Sequence, residues 1–194
     1  MNVIFLDFDG VLNTYNMRVA PLEEEGAEEN RFKILGNICK LYNCKVVISS
    51  AHKDAIDEET LETNLEWIQE YFNLFKKYGI EVIGRTPTLE RTPGKPYEHY
   101  ISPFWKEEEI ILYLKAHPEI EHFCVIDDDD AVTIPAREQG DFSKSDLNLV
   151  RDYLITTDPY SDTDPSVTGL LESHIEEVGK ILQKENRFKK TNIR

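Results

Sequence analysis

The chain has 194 residues, enough for one domain with a sizeable core, since a domain of that size buries roughly 70% of the surface its unfolded form exposes. Its 37 acidic residues outweigh 22 basic ones, and the formal net charge of -15 opposes loose attraction to nucleic acid or anionic membrane while leaving metal cations as natural partners. Cys39, Cys44 and Cys124 are too few and too irregularly spaced for a disulfide framework or a tetrahedral metal site, and their apolar neighbours mark them as reduced core thiols.

In chain order, the apolar run NVIFL comes first and leads straight into Asp7, Asp9 and Gly10. It meets Asp7 before a signal-peptide core could form, and no apolar run approaches the ~20 residues of a membrane span, so the expectation is a cytoplasmic protein with no membrane partner. Asn13 to Ala27 reads as a loop. Phe32, Leu35, Ile38 and Cys39 then fall at helical spacing, and KVVIS from Lys45 is a strand that ends on Ser49 and Ser50. Leu61, Leu65, Ile68, Phe72 and Phe75 mark a second helix with Gly79 as its stop, followed by the strand IEVI from Ile80. Gly84 to Trp105 is rich in proline and turn residues and reads as another loop. Ile110, Ile111 and Leu114 mark a third helix before FCVI, which runs into four acids, Asp127 to Asp130. YLIT from Tyr153 is a further strand, and Ile175, Val178, Ile181 and Leu182 mark a last helix. A single domain over 1–185 and a basic tail over 186–194 follow.

Continuous β-rich runs alternating with helices imply an α/β fold: a doubly wound, Rossmann-like parallel sheet with helices on both faces. In such sheets the crevice lies beyond the carboxyl ends of the strands, where this chain delivers Asp7 and Asp9, then Ser49, then Asp127 and Asp128. Two like charges as close as Asp7 and Asp9 repel; shared with Asp127, a hard divalent cation would relieve them, and Mg2+ favours a few carboxylates with water and phosphate oxygens. A calcium loop is excluded because DDDDAVTIPARE lacks the central glycine. His52, His99, His117, His122 and His174 have no metal-ligand spacing, and His52 reads as a satisfied polar residue. If Asp7 attacks phosphorus, one slow hydrolysis becomes two easier steps, with Asp9 placed to serve as acid and then base.

DFDGVLN, the serine ending VVISS, the lysine of WKEEEIILYL and VIDDDD resemble the four successive motifs of the haloacid dehalogenase (HAD) superfamily of phosphohydrolases. More narrowly, TTDPYSDTDPSVTGLLESHIEEVGKIL is similar to the end of a HAD group found in multifunctional RNA-repair proteins, in which a Gly-Leu pair precedes a final helix. The resemblance implies Asp7 as nucleophile, Asp9 as general acid/base and metal ligand through its carbonyl, and Ser49 as donor to a phosphate oxygen. It further implies Lys106 as cationic anchor, Asp127 as the acid that holds Mg2+, and Asp128 as support beside it. Lys95 is a rival for the anchor; Lys106 is preferred because it opens the helix that feeds the Asp127 strand. Where that group has Ser-Ser-Trp-Arg, this chain has Ser50, Ala51, His52 and Lys53.

The expected activity is a Mg2+-dependent phosphatase without a large cap domain, because the intervals after the first and second motifs have room only for loops. A receiver-like signalling module is the alternative from another class, but such modules lack an acid at the Asp9 position followed by glycine; a non-catalytic HAD-like binding domain is the third. A nucleic-acid end, a nucleotide, a phosphoprotein and a sugar phosphate all stay open as substrate. The net charge does not support a nucleic-acid end unless a local basic surface exists, for which Lys53, Arg85, Arg91 and Lys95 are the candidates.

Overall fold

The computed structural model describes residues 1–13, 25–89, 105–128, 144–158 and 167–189. Five strands, β1 (Asn2–Leu6), β2 (Cys44–Ile48), β3 (Val82–Arg85), β4 (His122–Asp127) and β5 (Leu154–Thr156), form one parallel sheet in the order β3-β2-β1-β4-β5. Among the described residues the helices are α1 (Glu25–Tyr42), α2 (Glu66–Lys77), α3 (Trp105–Ala116), α4 (Lys144–Arg151) and α5 (His174–Leu182). Short 3-10 turns cover Ala51–Ala55 and Arg187–Lys189.

Right-handed crossovers explain the layering. The path β1-α1-β2-α2-β3 moves outward one way and puts α1 and α2 together on one face, where α5 joins α1; the return to β4 and β5 puts α3 and α4 on the other. Val3, Ile4, Phe5 and Leu6 are fully buried between the layers, each contributing about 1.5–3 kcal/mol. Phe5 meets Tyr113 of α3 and Phe123 of β4 edge-on. On the opposite face Phe32 of α1 packs on Tyr71 and Phe75 of α2. Among the described residues no cap domain stands over the sheet, and no helix is long and apolar enough to cross a membrane.

Several boundaries differ from the sequence reading. The second helix starts at Glu66, not near Leu61, because Ile56 bridges Thr63 and the Asp57 carboxylate accepts from Glu59 N, Thr60 N and Thr60 Oγ1, which winds residues 57–63 into a loop. Leu61 there has φ 57 and Leu65 is 40% exposed. Gly79 does end the helix, at φ 68. β3 begins at Val82, because Ile80 N still donates to Phe75 O of the helix end. Gly84 and Arg85 belong to that strand rather than to the loop after it, and Glu25–Ala27 belong to α1. Helix α4, carried by the pair Leu147 and Val150, has too short an apolar face for the sequence to mark. After the last helix, Asn186 Nδ2 donates to Ile120 O at 3.1 Å, and Phe188 is buried against Phe123 and Tyr153.

Candidate active site

The sheet register brings distant acids together. Leu6 pairs with Ile48 on one side and Ile126 on the other, so the next residues along the three strands, Ser49, Asp7 and Asp127, lie side by side at the carboxyl edge. Backbone bonds continue the ladders there: Asp7 N donates to Ile126 O at 3.0 Å and Ser49 N to Leu6 O at 2.9 Å. The strand order reverses at β1, so this edge is also the switch point of the sheet.

Asp7 and Asp127 are buried, and one carboxylate oxygen each from Asp7, Asp127 and Asp128 lie within 4.8 Å of one another. Lys106, the second residue of α3, places its Nζ 2.7 Å from Asp7 Oδ2 and 2.6 Å from Asp127 Oδ2. Burial by itself would lower the pKa of this ammonium, but the two carboxylates outweigh it and hold the value above that of an ordinary lysine. The other Asp7 oxygen, Oδ1, accepts from Phe8 N at 2.7 Å. Ser49 Oγ is buried and has no hydrogen-bond partner among the described residues. A buried hydroxyl left unpaired is costly, and one at this edge is a ready donor to a ligand oxygen.

The turn after β1 is braced from below. Phe8 O accepts from Val11, Leu12 and Asn13 N, and Gly10 takes φ 70, a conformation open to glycine. A Cβ on Gly10 would lie 2.1 Å from Asp128 Oδ2. Thr157 Oγ1, just after β5, donates to Gly10 O at 2.9 Å, and Leu170 N donates to Val11 O at 2.9 Å. Gly169 has φ 67 and would press any Cβ to 2.6 Å from Arg31 Nε, so the Gly-Leu pair before the last helix is what lets that segment close on the turn. Arg31, itself buried, donates to Leu12 O and Thr168 Oγ1.

Asp9 stands apart from the three clustered carboxylates. Asn13 Nδ2 donates to its Oδ1 at 3.0 Å, and His52 Nε2 lies 2.9 Å from its Oδ2. Sequence reasoning set His52 aside; the signal that could have found it is its place three residues after Ser49, on the turn that follows β2 at the same edge. Lys53, a candidate for a basic rim, is instead buried in an ion pair with Glu109, Nζ to Oε2 2.8 Å, because its turn points it under the edge toward α3. Arg85 is mostly covered, bonding Thr86 O and lying 3.6 Å from Glu58. Of the two lysines weighed as anchor, Lys106 is at the carboxylates; Lys95 lies outside the described residues, as do Arg91, His99, Asp129 and Asp130.

Three carboxylates against one ammonium leave two negative charges at a buried edge, which suits a single divalent cation held by oxygen ligands. Residues 3–161 match the family model described as the HAD domain in Swiss Army Knife RNA repair proteins. No significant match was found among curated proteins or among solved structures.

Proposed function

The chain belongs to the family of HAD domains in Swiss Army Knife RNA repair proteins, which supports a phosphohydrolase-type activity, and on that premise we propose that it is a Mg2+-dependent phosphatase acting on a phosphomonoester through an aspartyl-phosphate. The observation that carries the reading is the Lys106 ammonium set between Asp7 and Asp127, with Asp128 beside them and the unpartnered Ser49 hydroxyl on the adjacent strand end.

Asp7, Asp127 and Asp128 would hold Mg2+, which when bound draws charge from the phosphate oxygens and screens the carboxylates from one another. A carboxylate oxygen of Asp7 attacks phosphorus, the bond to the leaving oxygen breaks, and Asp9 supplies the proton that oxygen needs. The Asp9 carboxylate then takes a proton from water as that water attacks the phosphorus of the aspartyl-phosphate, which releases inorganic phosphate and restores Asp7. Positioned proton transfer of this kind is worth ~10² to 10⁴ in rate. Ser49 Oγ donates to a phosphate oxygen, and Lys106 balances the charge of the phosphoryl group. The family's setting in RNA repair proteins makes a nucleic-acid end the substrate to try first, ahead of a nucleotide, phosphoprotein or sugar phosphate.

The test is release of phosphate from 4-nitrophenyl phosphate and from 3′- and 5′-phosphorylated oligonucleotides, with Mg2+ and with a chelator, by wild type and by Asp7→Asn. Mg2+-dependent release that the variant lacks supports the reading. Turnover that survives chelation or the Asp7→Asn change overturns it.

A further inference from the structure

We propose that His52 is a positioning residue that fixes the carboxylate of Asp9 for proton transfer, a role that rests on the phosphatase reading above. A carboxylate on a turn rotates freely about two side-chain bonds unless both oxygens are engaged. Here both are: Oδ1 meets Asn13 Nδ2 at 3.0 Å and Oδ2 meets His52 Nε2 at 2.9 Å, which together set the plane of the group.

His52 is itself held at its backbone and at its ring. The backbone N donates to Ser50 Oγ at 3.2 Å, the cap that starts the Ala51–Ala55 turn. Its ring stands perpendicular to the Trp67 ring, with centroids 4.8 Å apart and an angle of 84°. Trp67 in turn packs edge-on against Phe8 and Tyr71 of the core. The turn after β1 and the turn after β2 thus meet at the Asp9–His52 pair, and the start of α2 backs the His52 ring. A chance surface pair contributes little and needs no such backing. His52 is 38% exposed and Asp9 28%, so the pair also borders the open side of the site, where a leaving group departs into solvent.

The consequence is selective. A leaving oxygen of an alkyl ester requires a proton from a correctly aimed acid, whereas that of an activated aryl ester leaves with little help. Misplacing a catalytic group by about 1 Å costs up to about a hundredfold. Loss of His52 should therefore slow the first step, cleavage of the ester, chiefly on alkyl phosphates, while the second step, in which Asp9 is the base, is common to both esters.

The experiment compares wild type, His52→Ala and His52→Gln on glycerol phosphate and 4-nitrophenyl phosphate with Mg2+. His52→Ala should lower the first-turnover rate for the alkyl ester about tenfold or more, while the first-turnover burst of 4-nitrophenolate from the aryl ester stays nearly unchanged even where its steady state slows through the shared second step; His52→Gln, whose amide reaches as far as Nε2, should restore part of the loss. Equal losses of first-turnover rate on the two esters, or none on either, overturn the proposal. Crystal structures of wild type and His52→Ala supply a readout independent of turnover: a rotated Asp9 carboxylate in the variant supports the positioning role, and an unmoved one overturns it. If wild type hydrolyses neither ester, the phosphatase reading falls, while the crystallographic comparison still decides whether His52 orients Asp9.

Discussion

Lys106 Nζ stands 2.7 Å from Asp7 Oδ2, joining the first turn of α3 to the residue after β1 across 99 positions of sequence. An ammonium this close holds the charge of the edge in balance. Replacing Lys106 with Met should lower stability by on the order of 3 kcal/mol without metal, since the buried Asp7 and Asp127 carboxylates would lose the ammonium that faces them. Added Mg2+ should raise the melting temperature of both proteins and do so more for the variant. Because the lysine pKa is raised, its contribution is complete below the ordinary value of about 10.4 and is lost only as pH rises through the higher folded value, so the gap between the proteins should stay level from pH 7 to 10. Thermal melts with and without Mg2+ check both points.

Ser49→Ala should separate stability from function. The hydroxyl is buried without a partner, so its removal should be neutral or stabilising by about 1 kcal/mol. Binding of inorganic phosphate or vanadate should weaken at the same time. Denaturant titration and calorimetry together test this, and a destabilised variant with unchanged phosphate affinity would count against the donor role.

The Lys53–Glu109 pair has both side chains almost fully covered. Lys53→Met alone should cost about 3–5 kcal/mol, because the buried Glu109 loses its counter-charge although Leu89 N still donates to it, while the double change Lys53→Met with Glu109→Leu should recover much of it. Urea unfolding of the three proteins forms the cycle.

Gly10→Ala should damage the metal site in particular. Its Cβ would displace the Asp128 carboxylate, and φ 70 adds strain. A weaker Mg2+-induced rise in melting temperature than in wild type is the expected result.

His174 gives a pH signature at the start of α5. Burial pushes its pKa below the ordinary histidine value, and Leu171 N donates to its Nδ1 at 3.0 Å, a bond that protonation breaks. The unfolded chain therefore takes up the proton first, and stability is lost as pH falls below about 6.5. In His174→Gln that part of the loss should vanish, so the melting-temperature difference between wild type and variant should shift against wild type from pH 7.5 to 5.5.

Local residue pattern was enough to locate the strands and the chemistry at their ends. Three short apolar runs, continuous because both faces of the central parallel strands are covered, place Asp7, Ser49 and Asp127 at strand ends, and parallel pairing in register then brings those ends together. It also marked the three cysteines as core thiols: all are buried and free, and burial pushes those of Cys39 and Cys44 up to about 12. What tertiary structure decided are contacts that no local pattern encodes. His52 on Asp9, Lys53 on Glu109 of α3, and Phe188 against Phe123 each depend on how separate elements meet. A residue's type and spacing report its own helix or strand, whereas the direction of a side chain leaving a turn, and hence its partner, is fixed only when the crossovers pack.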